Sequence, residues 1–286
     1  MPGSDGVCGP APGRLAPSDC TAVSESCENG RRKQKGMRMQ LENKNAVVYG
    51  AAGSMGGAVA RAFAREGARV FLAGRTLAKL DAVAGEIRSG GGTAETAQVD
   101  AMDQLAVASH ADQVAAAAGS IDISFNAISI SAVQNMPLVG MSLEDFMAPV
   151  TDACRTHFVT ATTAARHMTA QGSGVIVLLS ATASRESRHQ MGGFSLACAC
   201  IEALTRSLAG EVGRQGVRVV GLRPNFTPET YPGVSDEDVS SLVKDTLLGR
   251  LPRLAEVAGT AVYLASAAAG AMTGAVINLS CGAIID

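Results

Sequence analysis

The sequence has no Trp, three Tyr and seven Phe in 286 residues. That is too little aromatic surface for a ring-lined binding platform. Charge is scarce too, at 17% of residues, and Lys plus Arg (24) nearly balances Asp plus Glu (26). A net charge of −2 argues against nucleic acid or an anionic membrane as the main partner. No run reaches the length of apolar residues that spans a bilayer, so no membrane segment is expected. Residues 1–30 lack the apolar stretch of a secretion signal. A GxxxxGK[ST] loop is missing, which excludes a P-loop nucleotidase. No metal site is expected either.

Cysteine is present, but seven is an odd count and fits poorly with a disulfide framework. Cys8, Cys20 and Cys27 fall near the start, while Cys154, Cys198, Cys200 and Cys281 sit in apolar or helical surroundings. The expectation is reduced thiols that pack as small hydrophobes in a cytoplasmic protein.

What the chain does have is apolar residues, at 47%, and 32 glycines. That is enough for a sizeable core of closely packed elements, and it excludes disorder of the whole chain. Residues 1–42 stand apart. They are rich in Gly, Pro, Ser and Cys, then basic at Arg31, Arg32, Lys33, Lys35 and Arg38. A solvated tail is the preferred reading over a targeting or nucleic-acid arm. Translation starting at Met37 or Met39 would give the same pattern. Residues 43–286 then form one domain.

Within that domain, short β-branched runs at 46–49, 69–72, 97–99, 121–125, 175–179, 217–222 and 275–279 alternate with helical patterns. The helical patterns include 57–66, 77–88, 143–170, 195–214 and 254–268. This alternation predicts βαβ units and a doubly wound, mostly parallel sheet with helices on both faces. Ligands on such sheets sit beyond the carboxyl ends of the strands.

The first strand runs into Gly50-Ala51-Ala52-Gly53-Ser54-Met55-Gly56-Gly57. Glycines there allow a sharp turn and close approach of a pyrophosphate, and the following helix start offers free N–H groups. A dinucleotide site is expected, with a bare strand–helix turn as the alternative. The second strand ends Gly74-Arg75-Thr76. An acid here would grip the ribose diol of NAD, whereas the Arg75 guanidinium suits the 2′-phosphate of NADP.

In their order and spacing these features resemble the short-chain dehydrogenase/reductase (SDR) family, from about Leu41 onward. The resemblance rests on the Gly50–Gly56 turn, Val99-Asp100, Asp122-Ile123-Ser124-Phe125-Asn126-Ala127 and Gly174-Val175-Ile176-Val177. It continues through Glu202-Ala203-Leu204-Thr205-Arg206-Ser207-Leu208-Ala209, Arg223-Pro224, and the stretch from Gly249-Arg250-Leu251-Pro252 to Thr273-Gly274-Ala275-Val276-Ile277-Asn278. It implies a seven-stranded Rossmann sheet and a cofactor site at Gly50, Gly53, Ser54, Met55, Gly56, Arg75, Asp100 and Asn126. It also implies assembly into dimers or tetramers through the two long helices.

The resemblance further implies a tetrad of Asn, Ser, Tyr and Lys for hydride transfer between NAD(P)H and a carbonyl. This chain departs from it at every member. Phe194 falls at the Tyr position, Cys198 at the Lys position, Ala181 at the Ser position and Ala153 at the Asn position. Register does not matter, because no Tyr lies between Tyr49 and Tyr231 and no Lys between Lys79 and Lys244. The phosphate turn drifts as well, with Tyr49 before it and Ser54 at its middle glycine. General acid catalysis supplies about 10²–10⁴-fold, and neither Phe194 nor Ala181 has a proton to give.

Three readings follow. One is an atypical oxidoreductase using NADP(H) with a displaced proton donor, the candidates being His157, His189 and Tyr231. Another is a non-redox isomerase, cyclase or lyase that uses an apolar chamber for a small apolar organic molecule. The third is a non-catalytic subunit that assembles with copies of itself or with an active relative. Residues 226–248 match the family's substrate-covering segment at full length, which favours ligand binding.

Overall fold

The computed structural model describes residues 39–286 except Arg188 and Asp236. Most of the expected 1–42 tail therefore lies outside the described residues. Its last part is corrected: Leu41 is 1% exposed, and its N–H donates to the Glu66 carbonyl at 2.9 Å. An apolar residue directly before the first strand is drawn into the core, so the domain takes in a residue that composition had placed with the tail.

Seven strands form one parallel sheet: β1 (Asn45–Tyr49), β2 (Arg69–Gly74), β3 (Thr93–Gln98), β4 (Ile123–Asn126), β5 (Gly174–Leu179), β6 (Val217–Pro224) and β7 (Val276–Leu279). Their order is β3-β2-β1-β4-β5-β6-β7, and every pairing is parallel. The expected doubly wound fold is present. Chain direction across the sheet reverses between β1 and β4, which opens a crevice at their carboxyl ends.

The strands are apolar on both sides because helices cover both faces. On β1, Ala46 and Val48 join the core beneath α1 (Ser54–Arg65), α2 (Leu77–Ser89) and α7 (Leu254–Ala265). Val47 and Tyr49 point the other way, toward α3 (Gln104–Ala118), α4 (Leu143–Gln171) and α5 (Gly193–Val212). A short α6 (Ser240–Lys244) lies in the covering segment.

Two elements differ from the sequence expectation. β3 runs over Thr93–Gln98 and not 97–99, because an edge strand needs apolar residues on one face only and so carries no apolar run. α3 was not picked out, since its Ala-rich sequence has little amphipathic contrast. Its ends are nonetheless marked: the Asp103 carboxylate accepts from the N–H groups of Leu105 and Ala106, and Gly119 closes the helix at φ 84°.

Helices α4 and α5 approach unusually closely at one point. A Cβ on Gly193 would lie 1.9 Å from the Phe146 carbonyl oxygen. Only glycine allows that contact, and it sets the level of one helix against the other.

Candidate active site

The Gly50 turn sits at the mouth of the crevice. Gly50 has φ 76°, and a Cβ there would lie 2.5 Å from the Ala127 carbonyl on the β4 exit. Gly53 differs, since a Cβ there would meet only the Gly50 carbonyl at 3.4 Å. Open space in front of Gly53 is what a bound phosphate requires. Gly53 is also the N-cap of α1, with no side-chain cap and no acidic residue in the first turn. The N–H groups of Ser54, Met55 and Gly56 therefore carry the positive end of the helix with no carboxylate to neutralise it. These residues fit a pyrophosphate.

Arg75 is exposed just past β2, where its carbonyl accepts from the Gln98 amide at 3.0 Å. Lys79, also exposed, lies one turn further on. Asp100 forms a turn, its carboxylate accepting from the Met102 N–H at 3.0 Å. Asn126 is buried, and its amide is committed within the fold. Nδ2 donates to Thr160 Oγ1 at 2.8 Å, and Oδ1 accepts from the Ile128 N–H at 3.0 Å. Asn126 thus fastens the end of β4 to α4.

The four expected chamber positions lie on three elements. Ala153 is buried on α4, Ala181 follows β5, and Phe194 and Cys198 occupy the first turns of α5. Burial drives the Cys198 thiol up to about 12, against the opposing pull of the Ala181 backbone N–H and the Ser180 hydroxyl. The thiol is therefore protonated and unreactive near neutrality. It does not take the part of a cation.

Behind this wall lies a polar cluster that sequence reasoning did not assemble. Glu202 accepts from Ser180 Oγ at 3.1 Å and from Ser184 Oγ at 2.5 Å. Its other oxygen faces Arg223 at 3.5 Å, with both side chains buried. Arg223 also pairs with Asp286, which Arg185 approaches at 3.6 Å. Ser180 donates to the Cys198 carbonyl at 3.2 Å as well, so the cluster holds the start of α5. Its only signal in the sequence was charge within apolar stretches.

The three candidate proton donors occupy different environments. His157 is fully enclosed on α4, with Nδ1 3.0 Å from the Ala153 carbonyl. Burial lowers its pKa to about 4, although the Ala153 and Leu179 carbonyls favour the cation. Tyr231 is 56% exposed, and its ring stacks on Phe226 at 4.8 Å. His189 Nε2 lies 3.1 Å from Asp245 Oδ2. That contact ties the loop before α5 to the covering segment.

Known proteins decide the family. The family described as enoyl-(acyl carrier protein) reductase matches residues 50–283. A gluconate 5-dehydrogenase of Gluconobacter oxydans is 31% identical over 249 residues, covering 86% of this chain and 96% of that protein. This chain belongs to the short-chain dehydrogenase/reductase family of oxidoreductases. A cis-4-hydroxycyclohexanecarboxylate dehydrogenase of Sinomonas cyclohexanicum is 32% identical over 83% of this chain and 95% of its own. Among solved structures, an SDR of Mycobacterium marinum superposes with a TM-score of 0.78 at 30% identity, over 87% of this chain and 98% of that one. A gluconate 5-dehydrogenase of Burkholderia cenocepacia, solved with NADP and tartrate, superposes with a TM-score of 0.78 at 26% identity. It covers 86% of this chain and 97% of that one.

Among the described residues, no group of three or more His, Cys, Asp or Glu side chains is placed to hold a metal. No helix there is long and apolar enough to cross a membrane.

Proposed function

We propose that this SDR is an atypical NADP(H)-dependent oxidoreductase, with Ala153, Ala181, Phe194 and Cys198 in place of the Asn-Ser-Tyr-Lys tetrad. Its proton source moves to His189. The observation that carries this reading is the His189–Asp245 contact of 3.1 Å. A carboxylate beside one ring nitrogen orients an imidazole, the arrangement general acids use. His157 is a poorer donor, being sealed from solvent and neutral at pH 7. Tyr231 has its ring occupied by Phe226.

NADP(H) supplies a hydride when bound. The chain's part is to seat the pyrophosphate on the N–H groups of Ser54, Met55 and Gly56 and to meet the 2′-phosphate with Arg75, with Lys79 nearby. Asp100 borders the adenine end, and Asn126 positions the chamber wall. The substrate is a small apolar organic molecule, because Phe194 and Ala181 present carbon where the family presents hydroxyls. The protein acts in the cytoplasm as a homo-oligomer, or as a hetero-oligomer with an active relative, through α4 and α5.

The test is turnover of a panel of apolar ketones and enones with NADPH. His189→Gln should lower kcat by about 10²-fold while NADPH affinity by calorimetry stays constant. His157→Gln and Tyr231→Phe should leave kcat within a few-fold. Unchanged turnover in His189→Gln would refute the assignment. A non-catalytic subunit draws support from Ser54, which stands where the family keeps glycine. It predicts no NADPH binding at all.

A further inference from the structure

We propose that Gln98, at the end of β3, is a positioning residue that sets the preference of this chain for NADP(H) over NAD(H) by fixing Arg75. The inference rests on the NADP(H) site proposed above and adds to it a residue that touches no cofactor.

Side chains on a strand alternate between its two faces, so Ala94, Thr96 and Gln98 share one face of the edge strand β3. Ala94 is buried in the core beneath α2, which makes this the face that meets the helix. Further apolar residues would extend that core. The strand carries a hydroxyl and an amide instead, and both are spent on the segment that begins α2. Thr96 Oγ1 donates to Asp81 Oδ1 at 2.7 Å. Gln98 Nε2 donates to the Arg75 carbonyl at 3.0 Å, across 23 positions of sequence.

The Gln98 bond adds one rung to the ladder past the end of β2. Gly74 pairs with Gln98 in the sheet, and the Val99 N–H donates to the Gly74 carbonyl at 3.0 Å. The Gln98 side chain then supplies a donor to the next carbonyl, that of Arg75. Peptide units are planar, so tying these two successive carbonyls to β3 fixes the planes on both sides of the Arg75 Cα. The direction in which its side chain leaves the backbone is thereby set.

The far end of the same residue is uncommitted. Among the described residues, the Arg75 guanidinium makes no hydrogen bond or ion pair. α2 also begins with no side-chain cap at Thr76 and no acid in its first turn. A fixed root and a free cationic head beside an uncapped helix start form a preorganised phosphate site. An arginine whose root could swing would lose part of that binding energy to ordering. The 2′-phosphate alone distinguishes NADP(H) from NAD(H), so losing the rung weakens one cofactor and spares the other.

The experiment measures binding of NADPH, NADH, 2′,5′-ADP and 5′-AMP to the full chain by calorimetry. Gln98 is exposed, so the fold tolerates its replacement. Gln98→Ala should weaken NADPH and 2′,5′-ADP about two- to ten-fold, the size of one hydrogen bond, and leave NADH and 5′-AMP unchanged. Gln98→Glu, which cannot donate and adds a negative charge, should lose more than Gln98→Ala. Placed in Arg75→Ala, Gln98→Ala should have no further effect, because it acts through the guanidinium. A direct contact with the phosphate would instead subtract the same amount in both backgrounds. Full additivity with Arg75→Ala would therefore overturn the proposal. So would equal weakening of NADPH and NADH, or an unchanged preference in Gln98→Ala when the unmodified chain prefers NADPH. An unmodified chain that binds NADH as tightly as NADPH would overturn the Arg75 assignment itself, and this proposal with it.

Discussion

Glu202→Ala tests whether the polar cluster behind the reaction chamber holds it in shape. The substitution removes the acceptor for Ser180 at 3.1 Å and Ser184 at 2.5 Å, and the carboxylate facing Arg223 at 3.5 Å. The Arg223 side chain is only 3% exposed, so water cannot take over. Breaking a buried pair by deleting one partner costs about 3–5 kcal/mol. Asp286 still pairs with Arg223 from a side chain that is 40% exposed, which places the cost near the lower end, about 3 kcal/mol. In a domain of this size each kcal/mol lowers Tm by roughly 2–4 °C, so a fall of about 6–12 °C should appear by circular dichroism. A double-mutant cycle with Arg223→Ala separates the charge pair from lost packing. The double variant should be less destabilised than the sum of the singles by about 1–3 kcal/mol. Strict additivity, or a Tm change under about 2 °C, would refute the claim that this pair supports α5.

Three further outcomes follow from other parts of the structure. Arg75→Ala should weaken NADPH binding about ten-fold or more, since a charge-assisted contact contributes about 1.5–3 kcal/mol. NADH binding should be unchanged, and the difference should shrink in high salt; equal loss for both cofactors would sink the assignment. His157 has a folded pKa of about 4, below its unfolded value of about 6.5. The unfolded chain therefore binds the proton first, and stability falls as pH drops from 6.5 toward 4. The loss is about 2–3 kcal/mol by pH 4.5, and the urea midpoint of His157→Gln should be less sensitive to pH across that window. Gly193→Ala forces a methyl against the Phe146 carbonyl and should cost at least about 1–3 kcal/mol in urea denaturation; a neutral result would contradict the close approach of α4 and α5.

Much of the fold was legible because its periodicities are local. The β-branched runs alternate with helical patterns, and glycine turns mark where strand meets helix. β3 and α3 were harder to see for a shared reason. An edge strand such as Thr93–Gln98 buries one face only, and an Ala-rich helix such as Gln104–Ala118 shows little contrast between its faces. Leu41 was placed in the tail because one apolar residue has no pattern of its own. At the proposed site, Ala181, Phe194 and Cys198 could be picked out as candidates directly from the sequence. Their surroundings could not. Ser180, Glu202, Arg223 and Asp286 form one cluster, but nothing in the spacing of these residues along the chain joins them.

The sequence by itself determined the parallel α/β architecture and the glycine turn after β1, because each depends on near neighbours or on residue identity. Tertiary structure alone decided that His189 meets Asp245, that Glu202 meets Arg223, and that Gln98 meets the Arg75 carbonyl. Those meetings depend on how helices and loops from distant parts of the chain pack against one sheet, and packing distance is not written in sequence separation.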